Sequence, residues 1–390
     1  MLRDEIKAQL EQKILPFWMN LKDDTYGGFY GGMDNNLILN RTADKGCILN
    51  SRILWTFSAA ALATGSAEYR AYADLAMEFL RRFQDPVNGG VFWSVTFDGK
   101  PADTTKHTYC QAFAIYGLAA YYRLTGKQEA LDRAMDLFRV IEGRCRDEDG
   151  YLEALKADFS PESNEKLSEN GVMASRTMNT LLHVVEAYTE LYRACPDGQV
   201  MVASVEGLNQ FLARIYNPAK RRMEVFFDGG FRPILDMQSY GHDIEGSWLI
   251  WDSAETFIRP EGRKPWRDMC LDLLESATER AFTDHGLDYE IVNGKKNTTR
   301  AWWPQAEAML GFGFGWQETK DPVWLKRMRI QWDYIRKTTV DSREGGEWFN
   351  ELREDGTLVE EKPVVEEWKC PYHNGRMCLR LMQAELPEDV

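Results

Sequence analysis

The sequence predicts an all-α fold: an (α/α)6 toroidal barrel with short β-hairpins at one end, built by residues 1–390 as a single domain. Two observations predict it. A short phrase, an acidic residue or turn former, then Gly, then aromatic or aliphatic residues, recurs along the chain at near-constant spacing. Between its copies, helices that are apolar nearly all round alternate with amphipathic ones, the contrast expected of an inner and an outer ring.

The phrase reads DDTYGGFYGG from Asp23, DPVNGGVFW from Asp85, DEDGYLEA from Asp147, TDHGLDYE from Thr283 and DSREGGEWFN from Asp341. A degenerate copy, NPAKRRMEVFF from Asn217, fills the remaining gap. With Gly28, Gly90, Gly150, Arg222, Gly286 and Gly346 as markers, the intervals are 62, 60, 72, 64 and 60 residues. In the first unit the apolar ILNSRILWTFSAAALAT, from Ile48, precedes EYRAYADLAMEFLRRF, whose Tyr69, Tyr72, Leu75, Ala76, Phe79 and Leu80 fall at helical spacing. The second and third units repeat this contrast, with HTYCQAFAIYGLAAYYRLTG then QEALDRAMDLFRVIEG, and RTMNTLLHVVEAYTELYRA then VMVASVEGLNQFLARIY. Helix-repeat solenoids also stack helix pairs, but their units are shorter and lack a Gly-aromatic hairpin. Six such units close into one ring.

Composition narrows the function classes. There are 47 basic against 61 acidic residues, a net charge of −14, which argues against nucleic-acid or anionic-membrane binding. No apolar run reaches the ~18 residues of a membrane span, and the N-terminal segment has no signal-peptide core. Seven cysteines without a CxxC pair suit reduced thiols, so a cytoplasmic protein is expected. The chain carries 13 Trp but only 5 His, so indole stacking surfaces are plentiful and each imidazole can be weighed singly.

In the expected barrel the inner helices are parallel, and their N-termini meet at one mouth that favours negative charge. Polar residues soon after each phrase therefore converge there: Arg52, the His107–Tyr109 stretch, Asn179 to His183, His242 to Glu245, Trp302 and Trp303, and Glu366 to His373. His242, Glu245 and Trp248 share one helical face. His373 follows a Pro371 turn near Trp368, where a helix N-terminus disfavours a protonated imidazole. Asn179 and His183 are one turn apart. Arg52 lies on an otherwise apolar helix and must pair with a carboxylate or face an anionic ligand atom. Trp303 and Glu307 combine a ring with a carboxylate one turn on. His107 caps a helix or lines the rim, and His285 belongs to a turn.

No phosphate cradle, HExxH, CxxC or GxSxG motif is present, so neither a metal nor another cofactor is expected. Imidazole, carboxylate and guanidinium beside indole rings suit proton transfer on a sugar, or glycoside hydrolysis by two carboxylates such as Glu245 and Glu307.

The strings DKGCILNSRILW, KHTYCQAFAIYGLAAYY, YGHDIEGSWLIW, RAWWPQAEAMLGF and EWKCPYHNGRMC resemble the N-acylglucosamine 2-epimerase superfamily over essentially the whole chain. The resemblance implies an (α/α)6 barrel and reversible C2 epimerisation of the reducing-end glucose of β-1,4-linked disaccharides, with no metal or nucleotide. It implies His242 and His373 as the acid/base pair, Arg52 at the sugar O1/O2 region, and His183 and Asn179 as polar cavity contacts. Tyr109, Glu245, Trp248, Trp303, Glu307 and Trp368 are implied as sugar-binding or supporting positions. The partner expected is a disaccharide alone, bound by a monomer or weak homodimer. The alternatives are an aldose–ketose isomerase or an N-acylglucosamine or mannose epimerase of the same superfamily, a two-carboxylate hydrolase, and a carbohydrate-binding protein without turnover.

Overall fold

The computed structural model describes residues 1–163 and 171–387. In chain order its α-helices are α1 (Leu2–Gln9), α2 (Leu15–Met19), α3 (Cys47–Thr64), α4 (Ala67–Leu80), α5 (Thr108–Thr125), α6 (Gln128–Arg144), α7 (Met178–Ala194), α8 (Gly198–Gln210), α9 (Tyr240–Phe257), α10 (Lys264–Ala281), α11 (Trp302–Thr319), α12 (Pro322–Tyr334) and α13 (Tyr372–Gln383). A π-helical turn, Leu10–Ile14, joins α1 to α2 as one rod. Helix α3 packs on α5, α5 on α7, α7 on α9, α9 on α11, α11 on α13, and α13 back on α3, which closes the inner ring. Outside it, α4, α6, α8, α10 and α12 each back their own inner helix, and α1 backs α13.

The sequence accounts for this sorting. In α3, α5, α9 and α11 most positions are buried and the buried ones lie on all sides, as expected of helices enclosed by the ring. In α6 only Ala130, Leu131, Ala134, Leu137, Phe138 and Ile141 are buried, one stripe facing inward. At the end away from the hairpins the connections are short. Gly65 and Gly126 stop α3 and α5 in the left-handed region, at φ 70° and 67°, where a Cβ would be strained. Ser66, Asp197 and Asp321 then cap the next helices through their side chains.

The six phrases form six hairpins, paired at Lys22–Phe29, Gln84–Val91, Arg146–Tyr151, Asn217–Arg222, Phe282–Leu287 and Val340–Trp348. A second set of pairings, which the sequence did not reveal, joins each unit to the next. The two or three residues before an inner helix pair with the strand after the following hairpin: Lys45 with Val95, Lys106 with Leu155, Arg176 with Phe227, Ser239 with Glu290, and Ala301 with Glu351. Met33 pairs with Val365 and closes the circle. The first N–H of each of the first five inner helices joins this girdle: Cys47 donates to Trp93 O, Thr108 to Glu153 O, Met178 to Val225 O, Tyr240 to Tyr289 O and Trp302 to Asn350 O. Helix ends that would otherwise be unsatisfied are thus fixed around the mouth.

Buried cations tie the girdle to the hairpins. Lys45 Nζ donates to Asp23 (2.6 Å) and Gly27 O (2.8 Å), and Lys106 Nζ lies 3.0 Å from Asp85 and 2.9 Å from Gly89 O. Arg176 pairs with Asp147, Arg300 with Asp288, and Lys369 with Glu347. Each cation stands two or three residues before its inner helix. The fourth unit, whose hairpin has lost its Asp and Gly, has Gln238 at that position instead, bonded to Arg280 and Asp243.

Candidate active site

The helix repeat sets the layers of the site. The sixth residue of α3, α5, α7, α9 and α11 is Arg52, Phe113, His183, Glu245 and Glu307 respectively. Nearer the mouth, second residues Tyr109, Asn179, Trp303 and His373 form a shallower ring, with His242 one residue deeper in α9. The second residue of α9 is Gly241, and there a Cβ would stand 2.6 Å from the Trp303 ring. Glycine lets that indole lie across the start of α9.

These rings enclose a cavity of about 320 Å³ lined by Arg52, Tyr109, Asn179, His183, His242, Glu245, Trp303, Trp368 and His373 among others. Two residues expected to touch ligand lie elsewhere. Trp248, the ninth residue of α9, sits a turn below the cavity floor, where its Nε1 donates to Glu307 Oε2 at 2.9 Å. Glu307 lies behind the wall and binds His373. Both support the site from outside it. His107 is buried against Trp93 (ring centroids 4.7 Å) and does not line the cavity, and His285 is an exposed turn residue.

Arg52 is buried, and among the described residues no carboxylate pairs with it. Its Nη2 donates to Tyr109 Oη at 2.8 Å, its Nη1 to Trp368 O at 3.3 Å, and it lies over the Phe113 and Tyr372 rings at 4.1 and 4.6 Å. Among the described residues its Nε has no partner, nor do Asn179 Oδ1 and Glu245 Oε2, so three residues of the cavity wall hold unsatisfied polar atoms.

Each of three histidines is oriented through Nδ1. His183 Nδ1 is 2.7 Å from Glu186 Oε2, His373 Nδ1 is 2.6 Å from Glu307 Oε1, and His242 Nδ1 is 2.7 Å from Ser239 Oγ. His242 and His373 both pack on Trp303, at 4.6 and 5.5 Å between ring centroids. Burial, with His183 adding to it, lowers the His242 pKa to about 3. Burial and the nearby Arg52 and Arg376 charges take His373 well below the usual value. Near neutrality both rings are uncharged bases.

Beneath the histidines lies a carboxylate cluster whose arginine the sequence reasoning missed. Arg376 donates to Glu245 Oε1 at 2.6 Å, to Glu307 Oε1 at 2.7 Å, and also to Glu186. Burial and the Glu307 charge raise Glu245 to about 7. Burial works against Glu186, but Arg376 and His183 outweigh it and hold its pKa at about 2. Glu245, Glu307 and His373 bring ligand atoms within 4.8 Å of one another, a spacing that could hold a cation. The Arg376 guanidinium already occupies that place. A two-carboxylate hydrolase does not fit, because Glu307 is outside the cavity and both acids are bound to the same guanidinium.

Other cavity residues missed from sequence, including Tyr289, Glu290, Asn350 and Glu351, come from the girdle strands that follow the fifth and sixth hairpins. The phrases themselves were the available signal, since Tyr289, Glu290 and Asn350 stand at their ends and Glu351 follows directly. What the arrangement can do is move protons to and from a neutral polar ligand beside a fixed cation.

Known sugar epimerases resemble the chain over nearly its whole length. A cellobiose 2-epimerase of Eubacterium cellulosolvens is 45% identical over 401 residues, spanning 98% of this chain and 99% of the relative. The crystal structure of a sugar epimerase from a ruminal bacterium superposes with a TM-score of 0.98 at 42% identity, covering 99% of this chain and all of that one (100%). Cellobiose 2-epimerase from Bacillus thermoamylovorans superposes with a TM-score of 0.95 at 41% identity, over 98% and 99% of the two chains. Residues 27–374 match the N-acylglucosamine 2-epimerase family over nearly the whole ring, and the chain belongs to that family.

Proposed function

We propose that the protein reversibly inverts C2 of the reducing-end glucose of β-1,4-linked disaccharides, turning cellobiose into glucosyl-mannose and lactose into epilactose. One observation carries the reading: two imidazoles, His242 and His373, flank a single indole in a cavity that also holds an arginine with no carboxylate partner among the described residues. The epimerase relatives support the same reaction.

The sugar ring opens to an aldehyde, which acidifies the C2 proton. One imidazole removes that proton through Nε2 and becomes imidazolium, and the electron pair moves to O1 to give a cis-enediolate. The other imidazole returns a proton to C2 from the opposite face. Each positioned transfer contributes on the order of 10²–10⁴-fold. Arg52 and the inner-helix N-termini stabilise the oxygens that gain charge. The returning imidazole must itself carry a proton on Nε2, and Glu245, which lines the same cavity with a pKa of about 7 and an Oε2 without a partner among the described residues, is a store of one. His183, Asn179, Tyr109 and Trp368 bind the sugar chain. No step calls on a metal or nucleotide, and the enzyme works in the cytoplasm as a monomer or weak homodimer.

Product analysis after incubation with cellobiose tests this. Glucosyl-mannose as the main product is expected. A ketose as the main product would mean that the proton returns to C1 in an isomerase, and free glucose would mean hydrolysis. Binding without turnover would leave only a carbohydrate-binding role.

A further inference from the structure

None of these steps uses Arg376, yet it is the most heavily engaged cation near the site. It is the fifth residue of α13, it is fully buried, and it does not line the cavity. Its guanidinium reaches carboxylates on three other helices. Nη1 donates to Glu186 on α7 and to Tyr372 Oη, while Nη2 donates to Glu245 on α9 and Glu307 on α11. The plane is held over the rings of Trp248 and Tyr372, at 4.6 and 4.1 Å. Two of the three acids bind Nδ1 of a cavity histidine: Glu186 that of His183, and Glu307 that of His373.

We infer that Arg376 is a positioning residue that acts through Glu186 and Glu307 together, holding His183 and His373 as the tautomers with the proton on Nδ1 and the Nε2 lone pair free. The reason lies in what an acid does once its cation is gone. An ionised carboxylate can only accept, so the imidazole beside it must carry its proton on Nδ1. A buried carboxylate stripped of its partner takes up a proton instead. It then donates to Nδ1, and the neutral ring's own proton moves to Nε2, where it blocks the lone pair. The cluster is already close to this limit, since three acids share one guanidinium and burial raises both Glu245 and Glu307. The charged and titratable groups around Arg376 are Glu186 and His183 on α7, Glu245 on α9, Glu307 on α11, Tyr116 on α5, Arg52 on α3, and Tyr372, His373 and Arg380 on α13 itself. Lysine would keep the charge, but a point cation lacks the planar fork that spans several acids.

The inference rests on the proposed epimerase reading only for what Nε2 does to substrate, and the experiment separates the two. With only five histidines, a 15N-histidine-labelled sample gives a readable spectrum, assigned with His183→Gln and His373→Gln. In the unsubstituted protein both rings are expected to carry the proton on Nδ1. In Arg376→Met both shift toward Nε2–H while His107 and His285 are unchanged, and kcat falls roughly 10–100-fold with little change in KM. Arg376→Lys is expected to fall between the two and to keep the fold if the methionine variant does not. An Nε2–H tautomer in the unsubstituted protein, or unchanged tautomers in a folded variant, overturns the inference whatever the activity. If the unsubstituted enzyme fails to epimerise cellobiose, the functional reading fails while the tautomer result still decides the role of Arg376.

Discussion

A buried guanidinium needs compensation, and Arg52 and Arg376 find it in opposite ways. Arg376 is saturated by acids, whereas Arg52 lies against aromatic rings and a phenol and pairs with no acid among the described residues. The Arg52 alternative was legible in sequence, because a lone charge on an apolar helix must pair or face a ligand. Arg376 was not legible: its partners at 186, 245 and 307 are scattered over the chain and meet only when the ring closes. His242 offers a test at this scale. Its folded pKa of about 3 lies below the usual histidine value of 6.5, so under acid the unfolded chain takes up a proton that the folded one refuses. Stability from this residue is present above about pH 6.5 and is lost as pH falls toward the folded value. His242→Gln cannot titrate, so its Tm is expected to fall less than that of the unsubstituted protein between about pH 7 and about pH 5. Equal falls would mean that the imidazole is not held neutral.

At the scale of elements, the hairpin phrases and the contrast between helices were readable because turn chemistry and periodicity are local. The girdle pairings and the cation ties were not, since each joins segments well separated along the chain. Lys106, for instance, reads as an ordinary charge beside a helix until Asp85 is seen to reach it. Trp248 was expected at the cavity because it shares a helical face with His242 and Glu245. Face alone does not give depth, and its ninth position in α9 carries it below the floor. The ties also hold the mouth together. Lys106→Met would leave Asp85 buried without its cation, for an expected cost of about 3 kcal/mol in urea unfolding. Adding Asp85→Asn should recover part of that loss. A single variant as stable as the parent would mean that the tie does not contribute.

Across the whole molecule, closure of the ring and assembly of the site are one event. The last inner helix, α13, brings His373 and Arg376, packs between α11 and α3, and is backed by α1 from the other end of the chain. Residues from every inner helix therefore meet only in the complete ring. The net charge of −14 suits a neutral sugar better than an anionic ligand, and Arg52 supplies the local exception. No helix among the described residues is long and apolar enough to cross a membrane. The central claim is that two histidines in this ring exchange the proton at C2. NMR of the disaccharides formed from cellobiose in D2O tests it most directly. Deuterium at C2 of the glucosyl-mannose product is the expected result, and product that keeps its original C2 hydrogen would contradict the account.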